Sequence, residues 1–140
     1  MLKNDKMAAG LFEAALSVQQ NAHAPYSFFR VGAAVRGASG RVYAGTNVEN
    51  ASYPEGWCAE TSAIAAMVTA GEKRIAEVCV LSTGEPPATP CGGCRQRLAE
   101  FAGPDTPVHI GGPKGIVKTW RMDELLPAAF ALQDQDEEEL

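Results

Sequence analysis

The chain has no apolar run approaching the roughly 20 residues that a bilayer-spanning helix takes, so no membrane segment is expected. It has no surplus of positive charge either. Twelve Lys and Arg stand against 17 Asp and Glu, a formal net charge of −5, whereas proteins that grip a phosphate backbone draw their affinity from cations that release counterions. No nucleic-acid partner is expected, and a free small molecule suits this charge better than a base within a polynucleotide. A leader-like start is missing: Lys3, Asp5, Lys6 and Glu13 break up the opening segment before any apolar block forms, unlike a signal peptide, and a cytoplasmic location is expected. Cysteine is sparse. Four of them in a chain without an export signal point to metal ligands or free thiols rather than disulfides.

What is present has the balance of a globular protein, 46% hydrophobic and 21% charged over 140 residues, enough for one domain with a single core. Residues 1–132 are read as that domain. Residues 133–140, with the acidic run from Asp134 to Glu139, are read as a disordered tail.

The chemistry concentrates in Trp57-Cys58-Ala59-Glu60 and Pro90-Cys91-Gly92-Gly93-Cys94. A Cys-x-x-Cys pair brings two thiolates within reach of one ion, and Cys58 supplies a third. Three protein ligands leave the fourth tetrahedral position of Zn²⁺ open to water, which marks a catalytic rather than a closed structural site. Glu60 is then the acid/base, because a proton must still be carried to a leaving group. The fourth cysteine, Cys79, sits in the apolar run Val78 to Leu81 and reads as core.

Met7, Leu11, Ala14, Ala15 and Val18 recur at helical spacing and predict a helix over 4–21 that covers a sheet face. Val31, Ala33 and Val35 read as a strand, Gly37 to Gly40 as a turn and Arg41 to Gly45 as its hairpin partner. Asn47 and Glu49, two apart beyond the second strand, project the same way if the chain stays extended, and an amide beside a carboxylate suits the hydroxyls of a sugar. Asn50 reads as a side chain fastened to its own loop. A helix over about 58–70, ended by Gly71, is apolar around most of its surface and is expected to be buried on several sides. Its first turn carries Cys58 and Glu60. A second helix, 92–102, starts at the other two cysteines. Two helix starts facing three thiolates are expected to depress the cysteine pKa values, with Gly92 and Gly93 letting backbone amides approach sulfur. Glu77 to Ser82 reads as a central strand covered on both faces. Val108 to Ile110 and Ile116 to Trp120 read as two more strands, with His109 pointing out of the sheet and without function, as is His23. Asp123 to Pro127 reads as one capped helical turn.

From about Ala24 to Phe130 this pattern resembles the cytidine deaminase family, of the small type that holds zinc with three cysteines. The resemblance implies that Cys58, Cys91 and Cys94 hold Zn²⁺ and that water acidified there attacks C4 of a pyrimidine nucleoside while Glu60 takes and returns its proton. Phe29 would then pack near the pyrimidine, Asn47 and Glu49 would bind the ribose, the backbone N–H of Ala59 would hold the carbonyl oxygen of the base, and the Thr89 carbonyl would face the departing amine. It also implies a homotetramer in which Phe130, after Leu125-Leu126-Pro127, reaches a neighbouring subunit's pocket. The family usually follows Cys-Ala-Glu with Arg, which bonds a ligand sulfur, whereas this chain has Thr61; Arg95 and the two helix ends are expected to supply part of the missing positive potential. Cytidine and deoxycytidine are the expected substrates. Other readings are a structural zinc module, which needs a fourth protein ligand; a thiol redox protein, which leaves Cys58 and Glu60 without a role; and a deaminase of another aminated ring. The expected architecture is a three-layer α/β/α sandwich with a mixed five-stranded sheet, its first two strands antiparallel and the later ones parallel where helices intervene.

Overall fold

The structure is a computed structural model that describes residues 3–132; the acidic tail read over 133–140 lies outside the described residues. The first helix, α1 (Lys3–Gln19), turns one stripe inward because Leu11 and Ala15, four residues apart, share a face. Both are fully buried. The hairpin follows as β1 (Val31–Gly37) and β2 (Val42–Thr46), antiparallel with Val35 opposite Tyr43. After β2 come a single 3-10 turn, Tyr53–Glu55, and then α2 (Ala59–Thr69), β3 (Ile75–Ser82), α3 (Gly92–Phe101), β4 (Pro107–Gly112), β5 (Gly115–Arg121) and the short α4 (Met122–Leu125).

Among the described residues the five strands make one mixed sheet in the order β2-β1-β3-β4-β5. β3 and β4 are parallel across the α3 crossover, as expected, and β4 and β5 form a second antiparallel hairpin. β1 also pairs antiparallel with β3, Val31 opposite Ser82, a neighbour that the order of elements along the chain does not specify. Since β1 is antiparallel to both β2 and β3, those two run in the same direction without touching, and the α2 crossover still joins strands of one sense. This arrangement places the site. The carboxyl ends of β2 and β3 lie at one edge of the sheet, α2 and α3 start just beyond them, and that edge is where open α/β sheets bind ligands.

Alternation along each strand divides the core between two faces. Ala34, Cys79 and Leu81 pack under Leu11 and Ala15 of α1, so Cys79 is core, and burial pushes its thiol up to about 12. Ala33, Val35, Val78, Val80, Val108 and Ile110 point the other way, beneath α2, α3 and α4. The three-layer α/β/α sandwich is thus present, with β3 covered on both faces. α2 lies so close on β2 that a Cβ on Gly45 would stand 2.5 Å from the Ala63 amide nitrogen. Only glycine allows that approach.

Two expectations need correction. α2 buries Ala59, Glu60, Ala63, Ile64 and Met67, while Ala65, Ala66 and Val68 on its outer face are exposed; within one chain it is buried along one broad stripe, since only the sheet and α3 lie against it. His109 does not point out into solvent. It is buried on the α1 face, Nε2 2.6 Å from Glu77 Oε2 and Nδ1 2.8 Å from Thr119 Oγ1. Arg36 Nε stands 3.5 Å from the other oxygen of Glu77, so a polar row crosses four strands, with Glu77 meeting His109 diagonally because the residue opposite His109 is Cys79.

Candidate active site

Cys58 and Cys91 occupy the N-cap positions of α2 and α3, and Cys94 lies in the first turn of α3. Those first turns carry backbone amides without helical partners, so the sulfurs sit where negative charge is favoured. The Sγ atoms of Cys58 and Cys91 are 3.7 Å apart, and the ligand atoms of all three cysteines lie within 4.8 Å of one another. Tetrahedral zinc with Zn–S bonds of about 2.3 Å requires sulfurs about 3.8 Å apart, so this donor set fits the ion in type, number and spacing. No fourth His, Cys, Asp or Glu joins the cluster among the described residues, contrary to the need of a closed structural site.

The thiols are not uniformly acidified. Cys58 is lowered, chiefly because Cys94 donates to its sulfur, and Cys94 is raised by that same bond, then by burial and by the nearby Glu60. Helix ends therefore do not dominate at Cys94, which is fully buried; a bound dication would favour the thiolate form of all three. Glu60, 4% exposed, has its carboxyl held above the ordinary range by desolvation, opposed by its own backbone amide, by Cys94 and by Arg97. A carboxyl raised in this way is suited to holding and releasing a proton near neutral pH.

Arg95 does not reach the sulfurs. Its guanidinium donates to the carbonyls of Pro90 (2.7 Å) and Leu125 (2.9 Å) and to Thr89 Oγ1 (3.0 Å), pinning the loop ahead of α3 to α4. The cation at a sulfur is Arg97, whose Nη1 is 3.9 Å from Cys94 Sγ, and Thr61 Oγ1 lies at 3.9 Å from the same atom. A Cβ on Gly92 would meet nothing within 4 Å, while one on Gly93 would stand 3.1 Å from Arg97 Nη1, so Gly93 eases the approach of that side chain.

An open cleft of about 650 Å³ leads down to Cys58, Glu60 and Cys91, within the size range of small-molecule sites. Phe29, Asn47, Glu49 and Ala59 all line it. Asn47 and Glu49 do project to one side, because Val48 between them is held in extended pairing with Trp57, N to O 3.0 Å in both directions. Both side chains also build the wall. Asn47 Oδ1 accepts from the Val31 amide (2.9 Å) and its Nδ2 donates to the Phe29 carbonyl (2.8 Å). Glu49 accepts from the amides of Tyr26 (3.0 Å) and Ser27 (3.2 Å) and from the Ser27 hydroxyl, and the Ser27 bond does most to hold its carboxyl below the usual range. Asn50 Oδ1 accepts from the Ser52 amide at 2.9 Å, fastening its own loop as expected. Phe130 is not among the residues lining this cleft; its side chain is 71% exposed while its carbonyl accepts from Gln96 Nε2.

Sequence reasoning missed several wall residues. Tyr26, Tyr53 and Trp57 line the cleft, Tyr26 and Tyr53 meeting edge to face at 6.3 Å between ring centres. Trp57 Nε1 donates to Ser62 Oγ, which donates to the Thr46 carbonyl, both at 2.7 Å. That relay joins the end of β2 to the first turn of α2, a contact no linear spacing reveals.

Comparison with known proteins agrees with this geometry. Residues 6–110 match the family model described as the cytidine and deoxycytidylate deaminase zinc-binding region. The chain is 37% identical over 127 residues to a cytidine deaminase of Halalkalibacterium halodurans, covering 91% of this chain and 96% of that one. It is 43% identical over 114 residues to a cytidine deaminase of Mycobacterium tuberculosis, covering 81% of each. Its fold matches the crystal structure of the cytidine deaminase from Burkholderia pseudomallei with a TM-score of 0.82 at 38% identity, over 93% of this chain and all of that one.

Proposed function

The chain belongs to the cytidine and deoxycytidylate deaminase family, and from that premise we propose that it deaminates cytidine and 2'-deoxycytidine by zinc-dependent hydrolysis, giving uridine or 2'-deoxyuridine and ammonia, with Cys58, Cys91 and Cys94 as the metal ligands. The observation that carries this is the cluster of three sulfurs within 4.8 Å beside a nearly buried Glu60 at the floor of a nucleoside-sized cleft. Zinc, when bound, supplies the Lewis acidity that lets a water lose its proton near neutral pH.

Glu60 takes that proton at its carboxylate and delivers it to N3 of the ring. A second proton, from the hydroxyl then added at C4, passes through the same carboxylate to the departing amino group, and the desolvated position of Glu60 favours the protonated form that donation needs. Ala59, first in α2, offers an amide with no helical partner to the ring's carbonyl oxygen. Phe29 stacks beside the pyrimidine. Asn47 and Glu49 take the sugar hydroxyls through what remains free of their hydrogen-bonding capacity, with orientations already set by Val31, Phe29 and Ser27. The Thr89 carbonyl faces the leaving amine. Arg95, by gripping Pro90 and Thr89, holds that carbonyl's loop still.

The reading extends to a cytoplasmic homotetramer of one deaminase domain per chain, over residues 1–132, serving pyrimidine salvage. Its support is the exposed Phe130, Val68 and Leu132, which a single chain leaves uncovered. Among the described residues no helix is long and apolar enough to cross a membrane.

Incubation with cytidine, deoxycytidine, cytosine and adenosine while following ammonia tests the substrate. Release from the two cytosine nucleosides and not from free cytosine is expected; release from cytosine alone removes the sugar-binding roles of Asn47 and Glu49. Glu60→Gln is expected to keep its zinc and lose roughly 10²–10⁴-fold in kcat. In sedimentation, Phe130→Ala is expected to keep its assembly and raise KM, and a fully active wild-type monomer refutes the shared site.

A further inference from the structure

Three thiolates against a dication leave the proposed centre with a net charge of about −1, and electron-rich sulfurs weaken the pull of a metal on its water. Charge is hardest to keep on Cys94, the sulfur shut off from solvent, because little water is there to solvate it. Besides Cys58 and Glu60 of the site itself, two side chains meet that sulfur, Thr61 Oγ1 from α2 and Arg97 Nη1 from α3, each at 3.9 Å.

Arg97 is there by construction of the helix. Residues three apart share a helical face, so position 97 stands over position 94, whereas position 95 is turned away and Arg95 spends its guanidinium on three oxygens. The Arg97 side chain folds back toward the start of its own helix, and a Cβ on residue 93 would press on it at 3.1 Å from Nη1. Gly93 is what leaves that room. Among the described residues Arg97 makes no salt bridge and no hydrogen bond other than that to Cys94, so the sulfur is its one polar partner there.

We propose that Arg97 is a positioning residue for the deamination: its guanidinium, with the Thr61 hydroxyl beside it, withdraws charge from the Cys94 sulfur and so sets the Lewis acidity of the metal centre. The inference rests on the zinc reading above and adds to it a residue that touches neither substrate nor metal.

The test uses the full chain with cobalt(II) in place of zinc, whose sulfur-to-metal charge-transfer band reports electron density on the sulfurs, together with kcat and KM for cytidine on the zinc form. Arg97→Gln is expected to move the band to lower energy and to lower kcat roughly 10–100-fold with KM unchanged. Arg97→Lys is expected to retain most of both. Thr61→Arg in the Arg97→Gln background places a longer cation at the same sulfur and is expected to restore band and kcat in part. A wild-type band with Arg97→Gln indistinguishable from it overturns this inference alone, and so does an equal loss of kcat in the Gln and Lys variants with no movement of the band, the sign of a packing role. A wild-type chain that gives no sulfur-to-cobalt band overturns the zinc reading and this inference with it.

Discussion

The side-chain oxygen of Asn47 accepts a hydrogen bond from the Val31 amide at 2.9 Å, so a residue expected to hold the sugar also ties the end of β2 to the start of β1. Its amide nitrogen closes the same clasp on the Phe29 carbonyl. Asn47→Ala removes both bonds; the part-buried Val31 amide is left unpaired, at a cost of about 1–3 kcal/mol, while the Phe29 carbonyl is exposed to water. Thermal unfolding should show that loss together with a raised KM for cytidine. A raised KM at an unchanged Tm would mean that the clasp contributes nothing to stability.

On the opposite face of the sheet, His109 and Glu77 form a buried pair at 2.6 Å. Removing one member of such a pair leaves the other's buried polar group unpaired, at roughly 1–3 kcal/mol, and His109→Leu should fall toward the low end because Arg36 still faces Glu77. Denaturant unfolding checks the loss. Since the row lies under α1 and the cleft lies elsewhere, kcat per folded molecule should not change; a large fall in kcat would contradict that separation.

Glu72 accepts from the Tyr43 hydroxyl and from the Ser39 amide, and the Tyr43 bond leads the interactions that hold its carboxyl below the ordinary 4.5. A carboxyl lowered by folding adds stability at pH values above its unfolded pKa, and that stability is lost as pH falls through the folded one. Glu72→Gln should therefore lower Tm at pH 7, and the gap from wild type should narrow as the pH drops below about 4.5. A gap that stays constant down to pH 2 would rule out the charged form as the source.

Much of this was open to reading in the linear chain. Cys58 and the Cys91–Cys94 pair declare a metal by type and spacing, Glu60 follows from its place in the first turn, and the apolar neighbours of Cys79 mark it as core. What escaped is long-range or directional. Alternation puts His109 on one face of β4, but only the sheet order reveals that Thr119 stands opposite it and Glu77 diagonally across from it. The antiparallel pairing of β1 with β3 depends on which strand β3 docks against, and a crossover helix fixes direction without fixing the neighbour. Arg97 was within reach: helical spacing from Cys94 singles out position 97, not the adjacent Arg95, as the one that covers the sulfur.

Zinc content per chain, measured by elemental analysis on the purified protein and its single cysteine variants, tests the centre most directly. One zinc per chain is predicted for the wild type and for Cys79→Ala, whose sulfur lies under α1, and loss of bound zinc for Cys58→Ala, Cys91→Ala and Cys94→Ala. Full zinc retained when any of those three is removed, or zinc lost with Cys79, would contradict the account.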